Sequence, residues 1–123
     1  MARVLLVDDQ DCVLRAAALL LEMEGHSTVC VLSGVEARRQ IEAHDFDVVV
    51  TDIRMSPVDG LQLIQSTHAS KPDLPVIVIT AYSSEVSVAK ARELGACDYL
   101  KKPFKAEQLL SAIERAVGRK TSK

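Results

Sequence analysis

Residues 46–60 read F-D-V-V-V-T-D-I-R-M-S-P-V-D-G, and the fold turns on this stretch. Val48-Val49-Val50 is a β-branched run of the kind that forms a strand buried on both faces. The run delivers Asp52 to the strand's carboxyl end, before a loop punctuated by Pro57 and Gly60 and a helical pattern from about Leu61. In open α/β sheets, ligands bind just outside the carboxyl ends of the strands. Taken alone, an Asp at that place reads first as a helix cap or a loop-solubilising charge, ahead of a ligand-binding role. Its meaning depends on what other strands bring to the same edge.

Upstream, Val4-Leu5-Leu6-Val7 predicts a buried first strand with Asp8 and Asp9 at its exit, and Asp9 or Asp11 is expected to cap the next helix. Val13, Ala16, Ala17, Leu20 and Met23 recur at helical spacing, and Gly25 supplies the stop. Thr28 to Leu32 predicts a weaker second strand. Ser33-Gly34-Val35-Glu36 has capping-box spacing and opens a helix with Val35, Ala37 and Ile41 inward.

Downstream, a third helix starts at Asp59-Gly60, carries Leu61 and Ile64, and closes at Lys71-Pro72. Pro75 to Thr80 (P-V-I-V-I-T) is the fourth strand. Ser83-Ser84 is expected to cap a helix carrying Val86, Ala89 and Leu94 and ending at Gly95. Cys97 to Leu100 is a short fifth strand. After Lys101-Lys102-Pro103-Phe104 the last helix places Leu109, Leu110, Ile113 and Val117 on one stripe and stops at Gly118. Such alternation predicts one parallel sheet covered on both faces, with right-handed crossovers. The expected division is a single α/β domain over residues 1–118, with 119–123 a polar basic tail or the start of a linker.

Composition narrows the function. A chain of 123 residues with 48% hydrophobic content supports one domain with one core. Aromatic residues are only 3%, so the core is aliphatic and stacking platforms for nucleic acid are scarce. The net charge of −2 argues against DNA binding through a basic surface. No apolar run reaches the length of a membrane span, and Met1-Ala2-Arg3 leads straight into a strand with no secretory leader. Cys12, Cys30 and Cys97 lack C-x-x-C spacing; they are expected to be small buried hydrophobes of a protein in the reducing cytoplasm. His26, His44 and His68 share no ligand spacing and are expected at exposed loop or helix positions.

The strand exits carry Asp8 and Asp9, then Asp52, then Thr80, and finally Lys102. If the first, third and fourth strands are neighbours, these acids lie within a few ångströms of one another. Two like charges about 4 Å apart repel by about 4 kcal/mol at an effective dielectric near 20. A hard divalent cation relieves that repulsion, and all-oxygen ligands favour Mg2+ or Mn2+ over zinc. With a metal and a lysine to neutralise charge, a carboxylate can act as nucleophile and form an aspartyl-phosphate. No G-x-x-x-x-G-K-[ST] occurs, so the phosphoryl donor is not a nucleotide held by a P-loop.

The motifs V-D-D at 7–9, D-I-R-M at 52–55, D-G at 59–60, T-A at 80–81 and K-P-F at 102–104 resemble the receiver domain of two-component response regulators. The likeness runs in order from Val4 to about Val117. It implies a flavodoxin-like (βα)5 fold with strand order 2-1-3-4-5. It also implies Asp52 as phosphoacceptor, with Asp8, Asp9, Asp52 and the Arg54 backbone carbonyl holding Mg2+ (or Mn2+). Thr80 and Lys102 would meet the phosphoryl group, while Thr80, Ala81, Tyr99 and Pro103, the last after a cis peptide, belong to the switch. One departure is visible: Ser56 follows Met55 where the family usually has Pro, and Pro stands at Pro57.

The function implied is a phosphorelay switch in the cytoplasm, an acceptor that assists its own phosphorylation and dephosphorylation and is not an enzyme with a turned-over substrate. The implied partners are a sensor histidine kinase or phosphotransfer protein, a downstream effector, and a second copy through the fourth helix, fifth strand and fifth helix. No direct nucleic-acid or membrane contact is implied. An alternative is a haloacid-dehalogenase-type phosphatase, for which Asp9-Gln10-Asp11-Cys12-Val13 reads as D-x-D-x-V. That family also needs a late acidic pair at a strand end, and beyond Lys102 only Glu107 and Glu114 remain, both within a predicted helix.

Overall fold

The computed structural model describes residues 2–52, 60–80, 85–102 and 104–121, and for residues 60, 61, 80, 85–88 and 119–121 the backbone alone. The elements alternate as β1 (Arg3–Val7), α1 (Asp11–Met23), β2 (Ser27–Val31), α2 (Gly34–Ala43), β3 (Val48–Asp52), α3 (Gly60–Ser70), β4 (Val76–Thr80), α4 (Glu85–Leu94), β5 (Asp98–Lys101) and α5 (Ala106–Thr121). The strands form one sheet in the order β2-β1-β3-β4-β5, every pairing parallel. This is the flavodoxin-like arrangement the motifs implied.

Val48 to Asp52 is buried throughout because β3 is the middle strand of a sheet with helices on both sides. Strand alternation divides the core in two. Val4, Leu6, Val48, Val50, Ile77 and Ile79 pack with Leu14 and Leu21 of α1 and Leu109 and Ile113 of α5. Leu5, Val7, Val49, Val76 and Val78 pack on the other side with Ile41, Leu63, Ile64 and Ala91. A polar clasp sets where β3 begins. Arg3 donates its N–H to the Asp47 carboxylate at 2.8 Å, Asp47 N–H returns to the Arg3 carbonyl at 2.8 Å, and the Arg3 guanidinium lies 5.2 Å from the Phe46 ring centre. On the far side, the Lys71 ammonium donates to the Ile41 carbonyl at 2.5 Å and the His44 carbonyl at 3.2 Å. That ties the end of α3 to the carbonyl end of α2, where a cation is favoured.

Several local expectations are corrected. The sheet-facing stripe of α1 is Leu14, Ala17 and Leu21; Ala16 is exposed and Met23 is 74% exposed. The helix is apolar on nearly every side, so periodicity alone offers several stripes, and contact with the sheet selects one. Val13 and Leu20 turn aside to pack half-buried at the edge of the core, between α1 and α5. Neither Asp9 nor Asp11 caps α1: Gln10 holds the cap position without a side-chain cap bond, and Asp11 is the first helical residue, paired with Arg15 at 2.8 Å. In α4, Ala89 is exposed and Ala91 is the buried alanine. In α5 the buried stripe is Leu109, Ala112, Ile113 and Ala116, leaving Leu110 and Val117 half-buried.

Gly118 does not stop α5, which continues to Thr121. The helix-ending glycines are those with positive φ, Gly25 at 88° and Gly95 at 120°. Cys12 and Cys30 are exposed rather than buried, on α1 and on the edge strand β2; Cys97 is half-buried. Partial burial, then the charges of Glu22 and Asp11, push the Cys30 thiol pKa up. His26 is half-buried, its Nδ1 accepting the Ala2 N–H at 3.0 Å, while His44 and His68 are exposed as expected. The Ser33 cap is present, accepting the Glu36 N–H at 3.2 Å.

Candidate functional site

Parallel pairing brings the strand exits to one edge. Val7 stands opposite Thr51, so the next step along the two strands sets Asp8 beside Asp52. Asp52 stands opposite Ile79 and Thr80 opposite Lys101, which places Lys102 one residue past the end of β5. Asp8 is fully buried and Asp52 is 7% exposed, whereas Asp9 is exposed. One carboxylate oxygen from each of Asp8, Asp9 and Asp52 lies within 4.8 Å of the others, an all-oxygen cluster able to hold a metal ion.

Lys102 bridges the two buried acids. Its Nζ donates to Asp8 Oδ2 at 2.6 Å and to Asp52 Oδ2 at 2.9 Å, and its third contact is Gln10 Oε1 at 3.2 Å. The ammonium thereby offsets the repulsion between two acids out of water. Asp8 is itself oriented by Gln10, whose backbone N–H donates to Asp8 Oδ1 at 2.9 Å.

Of the expected site residues, Asp8, Asp9, Asp52 and Lys102 converge here. The Thr80 backbone closes β4 at the same edge, but its side chain lies outside the described residues. Arg54, Ala81 and Pro103 lie outside them too, as do the Ser56-Pro57 departure, Asp59 and the Ser83-Ser84 cap. Tyr99 is half-buried in β5, against the core shared with α3 and α4. Asp11, the second acid of the phosphatase alternative, is not in the cluster. Gln10 was not anticipated. Its signal in the sequence is only its place directly after Asp8-Asp9 at the exit of β1, with nothing in its spacing to mark a contact with residue 102.

The family model of the response regulator receiver domain matches residues 4–114. The chain belongs to this family. This receiver domain is 36% identical over 116 residues to the transcriptional regulatory protein GlrR of Escherichia coli (strain K12), covering 94% of the chain and 26% of GlrR. It is 38% identical over 120 residues to the response regulator MprA of Mycobacterium sp. (strain KMS), covering 98% of the chain and 52% of MprA. The chain thus spans between a quarter and about half of these relatives. Among solved structures, the CheY-like receiver domain protein of Methanospirillum hungatei JF-1 superposes with a TM-score of 0.95 at 26% identity, over 99% of this chain and 98% of that one. Among the described residues, no helix is long and apolar enough to cross a membrane.

The bridge should make the receiver domain's stability sensitive to alkali. Burial alone would lower the Lys102 pKa, but hydrogen bonds to Asp8 and Asp52 and their charges outweigh it and raise it above the ordinary 10.5. A group whose pKa is raised on folding binds its proton more tightly in the native state. Its stabilisation is complete below the ordinary lysine value and is lost as pH climbs through the raised one. Urea melts across that alkaline range should therefore show a loss of stability that is smaller in Lys102→Met; equal losses in both proteins would remove Lys102 as its source.

Proposed function

We propose that this receiver domain is the phosphoacceptor switch of a two-component phosphorelay, with Asp52 as the residue phosphorylated. The observation that carries this is the Asp8–Asp52–Lys102 bridge at 2.6 and 2.9 Å beside Asp9. It supports a carboxylate nucleophile paired with a neighbouring cation. In the reaction, an Asp52 oxygen forms a bond to phosphorus while the bond to the donor's phosphohistidine nitrogen breaks, the electron pair leaving with the imidazole. Lys102 then has a phosphoryl oxygen in place of a carboxylate oxygen as its partner, which is how the modification is felt at β5.

Asp8, Asp9 and Asp52, with the Arg54 carbonyl, would hold Mg2+, or Mn2+ in its place. When bound, the ion neutralises charge on the transferring phosphoryl oxygens. Thr80, Ala81, Tyr99 and Pro103 complete the proposed switch. The domain would occupy residues 1–118, with 119–123 a polar basic tail or the start of a linker.

The proposed partners are a histidine kinase or phosphotransfer protein upstream and an effector downstream, within a cytoplasmic pathway. A donor protein has an apolar surface to rest on beside the site. Val13, Ala16 and Leu20 of α1 and Phe104 line a groove of about 630 Å³ next to Lys102. A second copy through α4, β5 and α5 is the proposed homodimer.

Incubation with magnesium and a small acyl-phosphate donor tests the assignment. The intact mass should rise by one phosphoryl group in the native chain and remain unchanged in Asp52→Ala. A gain that persists in the variant sinks Asp52 as the acceptor.

A further inference from the structure

We propose that Gln10 is a positioning residue that sets the divalent-cation affinity of the acidic site by holding Lys102 across Asp8 and Asp52. This inference rests on the proposal that those acids take up a divalent cation. A lysine ammonium has three protons to donate and no acceptor. In this site all are used, on Asp8 Oδ2 at 2.6 Å, Asp52 Oδ2 at 2.9 Å and Gln10 Oε1 at 3.2 Å. Two of those acceptors belong to the carboxylates that, with Asp9, form the candidate ion cluster. Ammonium and metal ion therefore compete for the same two carboxylates, and as like charges they repel one another. Ion uptake draws on arrangements in which Lys102 has let go, so the apparent affinity is the intrinsic one reduced by the fraction of molecules in those arrangements.

Gln10 acts on that fraction alone. Its carboxamide is neutral, so it steadies the ammonium without adding a charge that would also attract the metal ion. It is well anchored for the task. Its backbone N–H is held by Asp8 Oδ1 at 2.9 Å, and its carbonyl accepts from Val13 N–H at 3.1 Å and Leu14 N–H at 3.3 Å at the start of α1. The carboxamide is thus presented from the rigid first turn of a helix to a lysine on the opposite side of the site, 92 residues away in the chain.

The test is calorimetric titration of the full chain with magnesium alone, in the native protein, Gln10→Ala and Gln10→Met. Met keeps the length of the side chain and removes the acceptor. Both variants should bind magnesium about two- to fivefold more tightly, the weight of one partly exposed hydrogen bond to a charged group. The gain should vanish when Gln10→Ala is added to Lys102→Met, because no ammonium is left to hold. Unchanged or weaker binding in both single variants overturns the proposal, as does a gain that survives without Lys102. Should Lys102→Met fail to fold, the two single variants decide the matter. Native magnesium binding and Asp52 labelling with no gain in the variants would remove this inference and leave the phosphoacceptor reading standing. Absence of magnesium binding in the native protein would remove both the inference and the cation requirement.

Discussion

Replacing Lys102 with methionine should destabilise the metal-free protein by about 3–5 kcal/mol, the usual cost of removing one partner from a buried charged pair. Asp8 is fully buried and Asp52 is 7% exposed, so water cannot take over the work of the ammonium. Lys102 is the cation that bridges both acids, at 2.6 Å from Asp8 and 2.9 Å from Asp52, so the two lose their shared partner together. Millimolar magnesium should return most of the loss, because an ion that binds only the folded state stabilises it by mass action. Urea denaturation with a chelator and then with magnesium measures both effects. Equal loss under the two conditions would mean that the acids do not take up the ion. No loss with the chelator present would mean that the bridge contributes nothing net.

The second large effect is expected far from the acids, at Gly95. Its φ of 120° lies in a region that side chains rarely adopt, and an added Cβ would stand 2.9 Å from His68 Cγ and Nδ1 and 3.1 Å from His68 Cβ. Gly95→Ala therefore meets two costs. Backbone strain contributes about 1–3 kcal/mol, and displacing the imidazole about 1–3 kcal/mol more. The contact with His68 Cβ matters because that atom sits next to the α3 backbone and cannot swing clear as the tip of a ring can. Adding His68→Ala should recover the steric part and leave the strain. Gly25→Ala is the control: its φ is 88° and its Cβ would meet nothing within 4 Å, so only the backbone cost applies. If chemical denaturation finds the two glycine variants equally destabilised, the His68 contact is not the cause. Gly95 carries the chain from α4 to β5, so this substitution also disturbs the strand that presents Lys102.

The inner strands β1, β3 and β4 were legible because each is a β-branched or aliphatic run buried on both faces, whereas the edge strands β2 and β5 are only partly buried and gave weaker signals; Val48-Val49-Val50 and the run before Thr80 could hardly be anything else. The acids were legible for a related reason. Each directly follows or ends such a run, and parallel strands bring their ends to one edge. Helix faces were less so. In α1, Leu14 and Leu21 compete with Val13 and Leu20 for the sheet, and in α5 the small Ala112 and Ala116 take places that the larger Leu110 and Val117 seemed to claim. Close approach to the sheet favours the smaller side chains, a preference that hydrophobicity does not encode. Cys12 and Cys30 were misread because an average preference for burial says nothing about an outward helix face or an edge strand. The third partner of Lys102 depends on the geometry of two segments 92 residues apart, and no local pattern carries it.

The strand order has one more consequence. β1 and β3 each have a hydrogen-bonded neighbour on both sides, whereas β5 is an edge strand paired only with β4. Asp8 and Asp52 are therefore set in a fixed jaw, at the exits of two strands paired on both sides. Lys102 hangs from the margin on a long aliphatic stem and forms the free jaw. Under the proposed function, the clamp would open on a metal ion or close on a new anion by moving one side chain, with no strand shifting register. A phosphoacceptor site built this way would be cheap to reset, which is what a signal written and erased many times would require of the protein that carries it.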